Sequence, residues 1–110
     1  MTDREMLELA ARAAGYVFGE YGGKPARQVT TKIGAAWIYW NPREDDGDAL
    51  RLAVYLEFEI DITSTGVAVR TRCGLKVLVN KTEEPDPCTA TRLAITRAAA
   101  EIGRQMEETT

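Results

Sequence analysis

The stretch Trp37–Leu56 reads W-I-Y-W-N-P-R-E-D-D-G-D-A-L-R-L-A-V-Y-L, and it decides how the chain is folded. An aromatic strand leads into an acidic turn, and the turn leads into an apolar segment. The acids of the turn are Glu44, Asp45, Asp46 and Asp48. Because carboxylates are favoured as N-caps and at the positive end of a helix dipole, they predict a short helix over residues 46–55. The apolar residues from Leu50 to Ile62 also alternate as in a strand, and the acids favour the helix for the first part.

The segment before the turn, residues 28–40, is rich in β-forming side chains. It predicts one strand, or two strands with a break at Gly34. Alternation divides it into two apolar faces, one with Ala36, Ile38 and Trp40 and the other with Trp37 and Tyr39. We therefore expect this strand to be covered on both sides, by helices or by a second subunit. The alternative is a rigid aromatic platform that stacks on a flat ligand.

Two further helices are predicted towards the ends of the chain. A capping-box pattern followed by apolar residues at helical spacing predicts a helix over about residues 3–17. The glycine-rich segment 19–25 then predicts a mobile loop. Asp86 as N-cap and Pro87 at the first helical position predict a long helix over residues 87–106.

Residues 57–79 predict a β-hairpin followed by a third strand, because two apolar-alternating segments flank T-S-T-G. A turn at Ser64-Thr65 would pair Glu59 with Arg70. A turn at Thr65-Gly66 would pair Asp61 with Arg70 instead. Either register sets acids against arginines on one face of the hairpin and aliphatic side chains against each other on the other face.

Together these elements predict a single domain, residues 1–110, of the α+β class. We expect an antiparallel sheet of about four strands, with the N-terminal helix, the short middle helix and the long C-terminal helix packed on it. The length of 110 residues suits one hydrophobic core. The hydrophobic fraction of 45% and the charged fraction of 28% are typical of a folded domain.

Composition narrows the possible functions. The net charge of −3 argues against duplex nucleic-acid binding. No apolar run is long enough to span a membrane and no signal-peptide pattern is present, so we expect a cytoplasmic protein with reduced cysteines. Histidine is absent and no serine or cysteine lies in a nucleophile motif. A small metal-assisted enzyme that uses the carboxylates of Glu44–Asp48 is the remaining catalytic alternative, although we expect no metal site and no cofactor.

Two segments resemble a known group of proteins. They are W-N-P-R-E-D-D-G-D-A-L-R-L-A-V (Trp40–Val54) and D-P-C-T-A-T-R-L-A-I-T-R-A-A-A-E-I-G (Asp86–Gly103), roughly a third of the chain. Both resemble small phage and prophage proteins, and their layout is similar to that of the NinX-type phage family. The resemblance implies an accessory phage protein in the bacterial cytoplasm. It implies no chemistry for particular residues.

These observations lead to the expectation of a binding protein that counters a host defence. It would sequester a nucleotide immune signal or block a host protein, and it would act as a homo-oligomer with ligands held between subunits. The expected ligand-binding residues are Trp37, Tyr39, Trp40, Asn41 and Arg92. A structural accessory subunit of another phage protein is a third possibility.

Overall fold

The computed structural model describes residues 1–108, in which three helices and six strands follow one another. They are α1 (Asp3–Ala14), β1 (Phe18–Tyr21), β2 (Lys24–Thr31), β3 (Gly34–Tyr39), α2 (Asp46–Tyr55), β4 (Glu59–Thr63), β5 (Gly66–Arg70), β6 (Lys76–Asn80) and α3 (Pro87–Glu108). The predicted α+β class with its three helices is confirmed. The predicted domain ended at residue 110, and residues 109–110 lie outside the described range.

The strands of residues 1–108 form two antiparallel sheets rather than one. β1, β2 and β3 make the first sheet, and β4, β5 and β6 make the second sheet, each in chain order. The prediction of one sheet with about four strands missed this division. Its cause is that the glycine-rich segment before residue 28 contributes strands of its own.

The predicted mobile loop over residues 19–25 is wrong. β1 and β2 form a hairpin in which Tyr21 pairs with Lys24 across a two-residue turn, Gly22-Gly23. Both glycines have positive φ, 61° and 80°. A tight hairpin turn of this kind requires positive φ at both positions, and glycine adopts it without steric cost. The two glycines therefore mark a turn within a sheet.

The predicted strand region 28–40 belongs to the two remaining strands of the first sheet. β2 and β3 pair across a turn at Lys32-Ile33, so the chain does break at Gly34. The expected cover on both faces is absent within residues 1–108, where the face with Trp37 and Tyr39 is open to solvent and Ile38 on the other face is 42% exposed. The reason is that α3 and the second sheet pack against each other, which leaves only α1 and the residues near it for the first sheet.

The ends of α1 and α2 follow local capping chemistry. α1 ends at Ala14, short of the predicted residue 17, because Gly15 takes a left-handed conformation with φ 75° and closes the helix. α2 has the predicted bounds, 46–55. Its N-cap is Asp45, whose Oδ2 accepts the backbone N–H of Asp48 at 2.8 Å. The acidic cluster was therefore a correct helix signal.

α3 also begins where the sequence predicts. The Asp86 carboxylate accepts the backbone N–H of Thr89 at 2.8 Å, and Pro87 is the first helical residue. The helix continues to Glu108, two residues beyond the predicted end. None of the helices within residues 1–108 combines the length and the hydrophobicity that crossing a bilayer requires.

The second sheet takes the first of the two predicted registers. Thr63 pairs with Gly66 around a turn at Ser64-Thr65, and Glu59 pairs with Arg70. The predicted third strand, residues 75–79, is observed as β6, shifted by one residue. The sheet places its aliphatic face on α3, where three valines are buried, namely Val67, Val69 and Val79.

The core is centred on the contact between α1 and α3. The two helices approach most closely at Gly103, where an added Cβ would lie 1.9 Å from the carbonyl oxygen of Leu9. Small side chains make this approach possible, and the buried alanines of the two helices are Ala10, Ala11, Ala14, Ala90, Ala94, Ala98, Ala99 and Ala100. α1 thus holds the first sheet and α3 holds the second, and the helix pair joins them.

Candidate functional site

The five residues expected to bind ligand do not converge. Trp40 lies in the core with 3% of its surface exposed. Its ring packs edge-on against Tyr16, with centroids 5.7 Å apart, and against Phe18 at 6.1 Å. The indole of Trp40 therefore stabilises the junction of the first sheet with α1, and it is not offered to a ligand on the surface.

Asn41 organises the turn between β3 and α2. Its side-chain Oδ1 accepts the backbone N–H of Arg43 at 3.0 Å, and its own backbone N–H donates to Asp48 Oδ2 at 3.0 Å. An asparagine side chain that bonds to the backbone two residues later is typical of a tight turn. The side-chain oxygen and the backbone groups of Asn41 are thus engaged within the chain.

Arg92 fastens the same turn to α3. Its Nη1 donates to Asp46 at 2.5 Å, its Nε to the carbonyl oxygen of Arg43 at 2.9 Å, and its Nη2 to the Thr89 hydroxyl at 3.1 Å. A guanidinium whose three nitrogens all donate within the chain has its charge balanced by Asp46 and its donors occupied. Arg92 therefore holds the turn in place rather than presenting a free cation to an anionic ligand.

The carboxylates of the acidic turn also bond to other groups of the chain. Asp45 caps α2, Asp46 pairs with Arg92, and Asp48 pairs with Arg51 at 2.9 Å. The hydrogen bond from Arg51 to Asp48 raises the pKa of the guanidinium. Within residues 1–108, no three Cys, Asp or Glu side chains form a group that could hold a metal ion. The carboxylates of this turn mainly accept bonds from the chain itself.

Trp37 and Tyr39 lie elsewhere, on the open side of the first sheet. Strand register places a set of side chains on this side, which we call the aromatic face: Val17, Gly19, Tyr21, Lys24, Ala26, Gln28, Thr30, Ala35, Trp37 and Tyr39. Trp37 is 36% exposed and Tyr39 is 56% exposed. Tyr21 adds a third ring, whose centroid is 5.6 Å from that of Tyr39.

Small residues on the neighbouring strands allow the Trp37 ring to lie flat. A Cβ built on Gly19 would lie 2.8 Å from Cη2 of Trp37, so the indole reaches from β3 across β2 to β1. Ala26 lies on β2 between them and is fully buried. Glycine and alanine therefore form the floor on which the indole rests, and a larger residue at either position would lift the ring.

The aromatic face is also distinctive in its charge. None of the ten residues that register assigns to it is acidic, and its one charged side chain is Lys24, whose Nζ lies 5.7 Å from the centre of the Tyr39 ring. At this distance an ammonium group is attracted to the ring face. The surface is thus exposed, rich in aromatic rings and mildly basic. Sequence alternation placed Trp37 and Tyr39 together, while Tyr21 and Lys24 were missed with the hairpin.

A second surface was also missed, an apolar groove of about 450 Å³ between α2, β4 and α3. Its lining includes Leu50, Ile60, Ile62 and Ile95, together with Cys88 and the Asp46–Arg92 ion pair. The sequence feature that indicates this groove is the series of large apolar residues between Leu50 and Ile62. The core buries only some of them. Leu50, Ile60 and Ile62 remain partly exposed.

Residues 1–108 form a small α+β fold with an open aromatic sheet face and an apolar groove. No protein family model, no curated protein and no solved structure matches the chain. Its function is therefore inferred from these two surfaces and from the chemistry of the residues on them.

Proposed function

We propose that this chain is a phage accessory protein that acts by binding in the bacterial cytoplasm, and that it counters a host defence by blocking a host protein through the aromatic face. The observation that carries the binding surface is the open layer of rings from Tyr21, Trp37 and Tyr39, on a sheet that meets the core from its other side through Phe18 and Trp40. The phage setting rests on the resemblance of Trp40–Val54 and Asp86–Gly103 to phage proteins.

A protein partner suits the shape of this face. Tyrosine and tryptophan are enriched at protein interfaces because they bury a large area at low conformational-entropy cost. The aromatic face is the exposed side of a sheet, and an exposed sheet face suits another protein, whereas small ligands bind in concave sites that enclose most of their surface. The open β-sheet also holds the rings in a fixed arrangement before binding.

Sequestration of a nucleotide is the second candidate, and one observation favours it. Aromatic rings with a nearby lysine and no carboxylate are suited to stacking on a base and to attracting its phosphate. A single flat face covers only one side of a base. This version of the proposal therefore requires a homo-oligomer in which a second copy covers the other side.

The test uses a pair of tyrosines with similar exposure on different surfaces. Tyr39 is 56% exposed on the aromatic face, and Tyr55 is 61% exposed on α2. Wild type, Tyr39→Ala and Tyr55→Ala would be used to capture proteins from host extract, and each captured protein would then be purified and titrated by calorimetry. We expect Tyr39→Ala to weaken binding by about 2 kcal/mol, roughly thirtyfold, and Tyr55→Ala to leave it unchanged.

Two results would decide between the candidates. A partner that binds Tyr39→Ala as tightly as wild type would overturn the assignment to the aromatic face. A thermal-shift screen with cyclic nucleotides tests the second candidate, since a ligand at a hundredfold excess over its Kd stabilises a protein by about 2.7 kcal/mol. A nucleotide shift that disappears in Tyr39→Ala, without any captured protein, would replace the protein partner by the nucleotide.

A further inference from the structure

β4 forms an edge of the second sheet, with β5 on one side and no strand on the other among residues 1–108. The hydrogen-bond pattern shows which of its residues face outward. Thr71, directly after β5, donates its N–H to the carbonyl oxygen of Leu75 at 2.9 Å. The odd-numbered residues of β5 therefore bond to β6, and its even-numbered residues bond to β4. In the observed register these even-numbered residues bond to Glu59, Asp61 and Thr63 of β4.

It follows that Ile60 and Ile62 direct their backbone N–H and C=O groups away from the sheet. Their side chains meanwhile lie on the inner side, where both line the apolar groove. The same two residues thus offer unpaired backbone groups and an apolar surface next to them. An extended segment placed along β4 would pair with these backbone groups and insert every second side chain into the groove.

The outer side of β4 determines the charge of a suitable segment. Glu59 and Asp61 lie there, and Asp61 is in no ion pair within the described part of the chain. β5 shows what pairs well with this strand on its other edge. It places valines against Ile60 and Ile62, and it places Arg70 opposite Glu59 at 3.9 Å. A segment on the free edge meets the same alternation of isoleucine and carboxylate.

A second copy of β4 fits this edge poorly. When two such strands pair antiparallel with their isoleucines on one side, the acids of one copy lie opposite or beside the acids of the other. Like charges directly across a pair of strands destabilise it. Acidic residues on an edge strand are also a known means of preventing edge-to-edge association. Charge thus favours a partner with basic residues.

We propose that the free edge of β4 and the groove bind an extended segment of a partner protein in which apolar residues alternate with lysine or arginine. The apolar side chains enter the groove beside Leu50 and Ile95, and the basic ones lie beside Glu59 and Asp61. This site is separate from the aromatic face. It does not depend on the function proposed for that face.

The probe is a soluble peptide of roughly ten residues, the length of a long strand, in which valine alternates with lysine. A peptide that alternates valine with glutamate is the control for charge. We expect the lysine peptide to bind about tenfold more tightly than the glutamate peptide, since each opposite-charge pair across strands is favourable and each like-charge pair is not. Asp61→Lys should narrow or reverse this preference without changing the fold, because the side chain is exposed.

Hydrogen exchange identifies the mode of binding. The amides of Ile60 and Ile62 should exchange fast in the free protein and slowly with the lysine peptide, while those of Glu59 and Asp61 are already bonded to β5 and should change little. Ile62→Lys should weaken peptide binding by about tenfold or more. Leu78→Lys is the matched control, because Leu78 is 63% exposed on the outer side of the sheet and Ile62 is 58% exposed on the inner side.

Each remaining outcome would overturn the proposal. These outcomes are no binding of the lysine peptide, equal binding of both peptides, and binding without protection of the two isoleucine amides. Protection of these amides in the free protein that rises with protein concentration would assign the edge to a second copy instead. Tyr39→Ala should bind the peptide as wild type does. A lack of peptide binding would therefore overturn the proposal for β4 without bearing on the function proposed for the aromatic face.

Discussion

The two sheets have the same number of strands and the same topology, and they differ in what their faces meet. Each has three antiparallel strands in chain order. The second sheet lies on α3 and buries Val67, Val69 and Val79. The first sheet meets the core mainly through Phe18 and Trp40, and its other side has no helix over it within residues 1–108. Three strands of the same topology therefore either complete a core or present a surface, according to the helix area available to cover them.

The solvent sides of the two sheets differ just as clearly. The outer side of the second sheet carries charged residues such as Glu59, Asp61, Arg70 and Lys76, as an ordinary solvent face does. The aromatic face of the first sheet carries three rings and one lysine. Because water is a poor environment for a contiguous aromatic layer, this contrast supports the proposal that the aromatic face binds a partner.

The largest expected effect separates the two tryptophans of the first sheet. Trp40→Ala should lower the free energy of unfolding by about 4 kcal/mol, because it leaves a cavity between Tyr16 and Phe18. Trp37→Ala removes a ring that is 36% exposed, and we expect a loss of about 2 kcal/mol. Urea titration followed by circular dichroism measures both. Equal losses would mean that the aromatic face is part of the core.

The sequence predicted the elements that depend on local chemistry. Asp45 and Asp86 cap their helices where the acids and Pro87 indicated, and the charge pattern of the hairpin left two registers, one of which is observed. Gly22-Gly23 was misassigned because two glycines fit both a loop and a tight turn. The decision depends on whether the flanking residues pair, and that pairing is not a local property.

The candidate site was harder to predict than the fold. Alternation correctly separated Trp37 and Tyr39 from Trp40, but it gave no sign of which side would be buried. That side is set by the contact of α1 with the sheet. Arg92 looked available in sequence and is held by Asp46, a residue 46 positions away. Partners at that separation follow from packing rather than from any motif.

The next effect tests whether the two sheets depend on one another through the helices. Gly103→Ala places a Cβ 1.9 Å from the Leu9 carbonyl oxygen, so α1 and α3 must move apart. We expect a loss of about 3 kcal/mol, at the upper end for overpacking, because the obstacle is backbone. Hydrogen exchange in denaturant should show both sheets losing protection together, since α1 holds one and α3 holds the other.

Gly47→Ala is the matched control for this helix substitution. An added Cβ there meets only the flexible ends of the Arg51 and Asp45 side chains, at 3.1 Å or more. Alanine is the better helix former, so we expect no loss and a gain of up to about 0.5 kcal/mol. If the second sheet keeps its protection in Gly103→Ala while the first loses it, the sheets unfold independently and the helix pair does not couple them.

The smallest expected effect is a pH dependence at the start of α3, the helix that supports the second sheet. Hydrogen bonds from the Thr89 hydroxyl and then from its backbone N–H hold the pKa of Asp86 below its ordinary value of 3.8. The carboxylate therefore stabilises the fold fully above that pH, and this contribution is lost as the pH falls through the lowered pKa.

Asp86→Asn keeps a capping side chain without the titration. The urea midpoint of wild type should exceed that of the variant at about pH 7, and the difference should shrink towards about pH 3. Glu83, whose pKa is lowered by Arg97, titrates in both proteins and cancels in the comparison. A difference that grows on acidification would mean that Asp86 is not stabilised as the anion.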